Sequence, residues 1–409
     1  MNETASIAPT RSAAFVFVFI TVLLDMLALG IIIPVLPRLV VDFVGGDAAR
    51  GADYLGLFGT VWALMQFVFS PVHGMLADRF GRKPVILISN FGLGLDYILM
   101  ALAPTLWWLL AGRIISGICA ASISASYAYI ADVTPAEKRA ARFGMMGVAF
   151  GVGFVLGPAL GGLAGNVDPR LPFWIAAALS LANGLYGVFI LPESLPADRR
   201  SRFAWRRANP VGSLALLRSH PELGGLSLAT FLGNLAHASL PSIAVLYMMY
   251  RYGFDERAVG LTMAGVGLSA MIVQGGLIGP TIARFGERTA MIMGLLFGIA
   301  AFLLWALAPS APFFFLGIPL MSLWGIANAA SMGLMSRQVA ATEQGQLQGA
   351  NSSLMGIANL FGPGLFTQAF ALLVGERAVW HLPGAPFLLA ALLLVFAVVV
   401  ATAATQSRK

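Results

Sequence analysis

Residues 74–84 read GMLADRFGRKP, between an apolar run that ends there and another that begins at Val85. Asp78, Arg79, Arg82 and Lys83 crowd around Gly81. Charges this dense cannot sit in hydrocarbon, so the stretch reads as a tight loop at a membrane face. Alone it would fit any positively charged turn between two spanning helices. A second copy narrows the reading: residues 279–288, GPTIARFGER, align with 74–83 at an offset of 205 positions, half the chain. Gly157-Pro158 and Gly362-Pro363 repeat at that offset, as do Gly144 and Gly349, and Gly112 and Gly317. One offset serving four places indicates a duplicated chain.

Composition agrees with a membrane setting. Of 409 residues 58% are hydrophobic and 11% charged, against about 25% charged in soluble domains; mean hydropathy is +0.84. Twelve spans are expected, near 13–36, 54–76, 84–103, 106–130, 142–164, 171–191, 223–248, 258–280, 288–308, 312–336, 347–373 and 382–404. Each has about 20 residues, enough to cross ~30 Å at ~1.5 Å per residue. The fold class is therefore an all-α membrane protein. Its two six-helix halves are expected at 1–191 and 223–409, joined by a linker at 192–222 rich in Pro, Arg and Ser. Short surface helices are expected within the linker at 203–207 and 212–217. Eighteen of the basic residues fall in the loops after even-numbered spans, the linker and the termini, and six on the other side. By the positive-inside rule both termini and the linker face the cytoplasm, which implies the inner membrane. This alternation, rather than nucleic-acid binding, accounts for the net charge of +7. The single cysteine, Cys119, excludes an intrachain disulfide or a Cys-based zinc cluster. No cleavable signal is expected, because the run from Ala13 continues into a full span. No metal-ligand spacing, nucleophile elbow or phosphate-binding glycine loop is present, so neither an enzyme nor a cofactor or metal site is expected.

The sequence GxxADRxGRKP resembles the signature loop of the major facilitator superfamily, and the likeness covers nearly the whole chain. In that family the loop, here Gly74, Asp78, Arg79, Gly81 and Arg82, joins the second and third helices. The resemblance implies that Asp78 latches onto the N-terminus of helix 11, whose partial positive charge suits a carboxylate. Residues 132–144, DVTPAEKRAARFG, resemble the following loop of the tetracycline-efflux drug–proton antiporters and add Asp132, Glu137 and Arg139 as partners for the latch. Gly144, Gly153, Gly157, Pro158, Gly161 and Gly162 carry the spacing of the antiporter motif. Gly153, Gly157 and Gly161 form a stripe without side chains that invites close helix packing, and Pro158 permits a bend.

Three ionisable residues lie inside spans of the first half. Asp25, in VLLDMLALGIIIPVLP, sits where an unpaired charge costs several kcal/mol. It could snorkel or bond a neighbouring backbone, but its spacing with Gly30, Pro34 and Pro37 resembles a helix implicated in proton coupling. The prolines loosen that helix at its outer end. Asp96, in GLDYILMALAP, matches an Asp-Tyr of the same family. Arg113, in the GRxxxG of span 4, cannot shed its charge and needs a carboxylate or carbonyls; it reads as a modulator of a nearby acid or as a purely structural bridge. At the 205 offset these residues map to Thr230, Ala301 and Ile318. Proton handling is thus expected in the first half, and neutral substrate contacts in the second. The candidates are Asn234, His237, Gln274, Asn328, Asn351 and Asn359, with His237 either a buried neutral ring or a titrating group. The His and Asp with which tetracycline exporters meet the magnesium–tetracycline complex are replaced by Ala270 and Gly298, while Gln274 and residues 336–349 match the family.

The reading is a proton-coupled exporter of an amphiphilic or lipophilic small molecule, working by alternating access as a monomer in the bilayer, with protons as the second partner. A proton-coupled importer or facilitator would use the same scaffold, and the antiporter stripe counts against it. A non-transporting receptor would give two latch loops no purpose.

Overall fold

The computed structural model describes residues 11–120, 122–196, 198, 200, 212–220, 223–340, 343–375 and 381–406, with backbone alone at 11–14, 122, 136–137, 139–141, 144 and 213. Among these there are helices and no strand. In the first half α1 is Arg11–Ile32, α2 Ala48–Phe80, α3 Arg82–Ala101, α4 Leu106–Cys119 continued by Ser122–Val133, α5 Ala136–Gly165 and α6 Leu171–Ile190. In the second, α7 is Gly224–His237 continued by Ser239–Tyr252, α10 Ala311–Ser336, α11 Gln344–Val374 and α12 Ala385–Gln406. Between them, α8 is Glu256–Ile272 with the π-turn Val273–Leu277 and the start of Ile278–Leu307; α9 is the rest of that helix beyond a break at Gly286. Eleven apolar stretches are long enough to cross a membrane, and the 52-residue one, Glu256–Leu307, is α8 and α9 joined. Among the described residues there are therefore twelve spans.

Local chemistry sets the boundaries. Gly81 (φ 109°) and Gly286 (φ 75°), 205 positions apart, both adopt the left-handed backbone that a side chain would oppose. Each lets two long helices meet with a single residue between them. α1 stops at Ile32, two residues before Pro34, and the chain restarts as a short helix, Leu36–Phe43. Asp47 caps α2, accepting from Ala49 N at 2.9 Å and Arg50 N at 3.0 Å, and Asp255 caps α8 from Ala258 N at 2.7 Å. Of the expected linker helices, 212–217 appears as the 3₁₀ turn Gly212–Leu214 and the short helix Ala215–Ser219; 203–207 lies outside the described residues.

The glycine stripe of α5 serves two neighbours. A methyl at Gly153 would press on Met26 of α1, one at Gly157 would meet Gly30, and one at Gly161 would run into the Ile31 carbonyl. One turn face away, a methyl at Gly162 would strike the Glu256 carbonyl of α8, and Gly260 of α8 abuts the Pro158 carbonyl. α5 thus holds its own half together along one edge and meets the other half along the next. The second copy does likewise: Gly56 and Gly59 of α2 lie against Thr367 and Pro363 of α11, and Gly362 lies against Ala238 of α7.

These contacts between halves run from mid-membrane toward the face opposite the two motif loops, the far face. There Gln368 Nε2 donates to Asp53 Oδ1 at 3.3 Å. On the loop face a side chain added at Gly74, Gly147, Gly275 or Gly279 would meet open space. The two halves are closed together at the far face and parted at the loop face.

Candidate functional site

The first half seals its acids. Asp25 is 5% exposed, and Asn183 of α6 donates from Nδ2 both to its Oδ1 and to the Thr21 carbonyl, each at 2.9 Å. Asp96 of α3 is fully buried, with Arg113 Nη2 of α4 3.9 Å from its Oδ2; the same guanidinium donates to Met100 Sδ at 3.0 Å. Gly112 makes room for the pair, since a methyl there would come within 2.7 Å of Asp96 Oδ1.

Nine buried side-chain atoms among the described residues have no hydrogen-bond partner, on Ser89, Asn90, Asp96, Arg113, Ser126, Ser180 and Asn183. All lie in the first half. Left dry, they would cost about 1–3 kcal/mol each, a sum of ~10–25 kcal/mol that exceeds the ~5–15 kcal/mol by which a domain is usually stable. These groups, on α3, α4 and α6, form a polar seam inside the first half.

The second half opens a cavity of about 450 Å³ between α7, α8, α9 and α10. Asn234, His237, Gln274 and Asn328 line it, together with Trp324, Met291 and Met321. The His237 ring lies 5.7 Å from the Trp324 ring, and Thr230, also on the wall, bonds Ser331 at 2.9 Å. Among the lining residues His237 is the one that can ionise, and none is a carboxylate. Ala270 is on the wall, whereas Gly298 is packed against Leu394 and Trp324. Asn351 and Asn359 are not among the residues lining this cavity; they lie on α11, which packs on α2 and α7. Asn351 Nδ2 instead donates to Met332 Sδ at 3.3 Å.

At the loop face the signature loop is tied to its own half. Asp78 bonds Arg82, Arg82 Nε bonds Asp132 Oδ2 at 3.1 Å, and Ser194 Oγ bonds the same Asp132 oxygen at 3.1 Å. Glu193 caps α3, accepting from Arg82 N at 2.8 Å and Lys83 N at 3.2 Å. The expected docking of Asp78 at the start of α11 is not made among the described residues, because the halves are parted on this face. Asp132 joins the cluster, while the side chains of Glu137 and Arg139 are not among those described.

Sequence reasoning missed Asn183, Ser180 and Asn90. Asn183 carried a usable signal, being an amide in an otherwise apolar span, LPFWIAAALSLANGLYGVFI.

Two related six-helix halves, with acids sealed in one and an open cavity in the other, define a polytopic membrane transporter. A family model described as the Major Facilitator Superfamily matches residues 18–363 and, again, 226–409. The class C tetracycline resistance protein of Escherichia coli is 37% identical over 90% of this chain and 91% of its own length. Multidrug resistance protein 2 of Bacillus subtilis is 27% identical over 87% and 88%. The crystal structure of the human organic anion transporter MFSD10 (TETRAN) superposes with a TM-score of 0.70 at 25% identity, covering 96% of this chain and all of that one. The chain belongs to the major facilitator superfamily and, within it, groups with the tetracycline resistance proteins.

Proposed function

We propose that the protein exports an amphiphilic or lipophilic small molecule from the cytoplasm in exchange for protons. The observation that carries this reading is the division of labour between halves: buried acids in one, a neutral cavity with aromatic, thioether and amide walls in the other. Asp25 takes up a proton from the far side and releases it inward, with Asp96 and Arg113 as its charged neighbours. Substrate occupies the cavity of Asn234, His237, Gln274 and Asn328. The excess of basic residues on the loop face makes that face cytoplasmic, with both termini there, and the described conformation is then inward-facing. When the halves close on the cytoplasmic side, Asp78 comes within reach of the first turn of α11 and latches there. The chain works as a monomer in the inner membrane and catalyses no covalent chemistry.

The experiment is reconstitution into liposomes carrying a trapped pH dye, challenged with a panel of lipophilic drugs. Antiport predicts proton movement on addition of a substrate, opposite in direction to substrate flow. Substrate accumulation in the same direction as protons would identify an importer instead. A cavity wall with an imidazole and no carboxylate also favours a second reading, an organic anion as substrate, and acidic drugs therefore belong in the panel.

A further inference from the structure

The second half shows what this fold needs at the positions of the polar seam. At the 205 offset Ser89, Asn90, Asp96 and Arg113 become Gly294, Leu295, Ala301 and Ile318. Gly112 and Gly317 support that register, one leaving room for Met100 and the other for Trp305, again 205 apart. Aligning the shared Pro-Phe at the start of α6 and α12 turns Ser180 and Asn183 into Leu394 and Ala397, both fully buried. Ala301, Leu394 and Ala397 are fully buried in the second half, whereas Leu295 lines its cavity and Ser126 keeps a polar counterpart in Ser331; the acid of α3 and the polar pair of α6 are therefore not requirements of packing.

The polar groups also share a register on neighbouring helices. Gly94 of α3 faces Leu181 of α6 and Gly184 faces Phe91, which brings Asn90 and Asn183 to one level of the antiparallel pair. From Asp96 to Ser89 along α3 is about 10 Å at ~1.5 Å per residue. Buried Tyr97 lies within electrostatic reach of Asp25, Asp96 and Arg113. Among the groups near Asp25 are therefore Tyr97 on α3, which also senses Asp96 and Arg113, and the neutral Asn183 on α6. Nine unpartnered atoms at about three bonds per water correspond to roughly three waters.

We propose that this seam is the proton's route, running inside the first half and apart from the substrate cavity, with Asn183 as the positioning residue that fixes Asp25 against its water. The proposal rests on the reading of Asp25 as a proton carrier. A proton reaching the first water displaces one from each oxygen in turn. One proton taken up therefore delivers one to Asp25, converting carboxylate to carboxylic acid, and its release on the other side restores the charge. Asn183 Nδ2 holds the carboxylate, and its free Oδ1 holds the adjoining water.

The test is infrared difference spectroscopy of the full chain in liposomes after a pH jump. The Asp25 carboxyl C=O band is assigned by its absence in Asp25→Asn. In Asn183→Leu, which fills the water's place, the band is expected to appear at least about tenfold more slowly, equivalent to ~1.4 kcal/mol of barrier. Asn183→Ser, with a hydroxyl and room for water, is expected to recover most of the rate. Asn90→Leu, the residue the second half itself uses at Leu295, is a well-packed second block and is expected to slow the band similarly. Unchanged rates in both Leu variants, or a Ser variant as slow as Leu, would overturn the route. Absence of any titrating Asp25 band in the unmodified protein would instead overturn the reading of Asp25 on which the route rests.

Discussion

Arg82 Nε lies 3.1 Å from Asp132 Oδ2, and 205 positions further on the same two sites hold Glu287 and Arg337, paired at 2.9 Å with the charges exchanged. The duplicated scaffold thus keeps an ion pair between the motif loop and the neighbouring helix end in each half. What is preserved is the attraction, not its polarity. Each pair fixes its loop to its own half.

Exchange of the charges is predicted to be tolerated where single changes are not. Because Asp132 is exposed, losing such a pair costs about 1 kcal/mol, and a reversed charge adds repulsion from the partner left behind. Arg82→Glu and Asp132→Arg should each reduce transport and thermal stability. The double variant in an Asp78→Ala background, which copies Ala283, Glu287 and Arg337, should recover most of both relative to the single changes in that background. A double variant as impaired as the singles, measured by melting of the purified protein and by transport, would show that the pairs are not equivalent.

Neighbouring glycines on α5 are predicted to fail differently. Gly161→Ala pushes a methyl into the Ile31 carbonyl of the same half, and Gly162→Ala into the Glu256 carbonyl of the other half. Overpacking of this kind costs about 1–3 kcal/mol. Gly161→Ala should lower the melting temperature. Gly162→Ala should leave it nearly unchanged while slowing transport, because its clash disappears when the far face opens. Equal loss of stability in both variants would contradict this.

Cavity amides are predicted to affect substrate binding and not proton movement. Asn234→Leu or Asn328→Leu removes a hydrogen-bonding group from a largely apolar wall, worth about 1–3 kcal/mol, or ~5–150-fold in affinity. Binding titrations with a drug identified in the liposome screen should show this loss, while the Asp25 infrared band titrates as before.

Magnesium–tetracycline is predicted to be a poor substrate despite the kinship. A chelated divalent complex requires carboxylate or imidazole in a dry site. Ala270 on the wall offers neither, Gly298 is walled off behind Trp324, and no lining residue is an acid. The check is expression in a tetracycline-sensitive, efflux-deficient host, where little resistance is expected. Robust magnesium-dependent resistance would mean that His237 and the neutral amides suffice.

The sequence carried the architecture because membrane spans and glycines act locally. Gly81 and Gly286 marked the two tightest turns, and Pro34 marked the end of α1, since each effect depends on the residue itself. The stripe of Gly153, Gly157 and Gly161 announced close packing, and α1 is what fills it. The site was legible in part. Asp25, Asp96 and Arg113 stood out because charge in hydrocarbon is expensive wherever it occurs, and Asn234, His237, Gln274 and Asn328 stood out as polar groups in the second half. Asn351 and Asn359 have the same composition signal, but whether a polar group faces a cavity depends on which helix packs against its own. Asn183 and Asn90 were hidden for the same reason: an amide becomes part of a proton seam only through neighbours on other helices. Asp78 was read for a contact at the start of α11 that is not made among the described residues; it bonds Arg82 instead.

The central claim is that Asp25 couples protons to transport without binding the substrate. Asp25→Asn keeps the size and the contact with Asn183 but removes the titrating group. The direct measurement is made in liposomes, comparing uptake driven by a pH gradient with exchange of labelled for unlabelled drug at equal pH. The account predicts that gradient-driven transport is abolished while exchange, which needs only cavity and conformational change, continues at near the unmodified rate. Retained gradient-driven transport in Asp25→Asn, or loss of exchange together with it, would contradict the account.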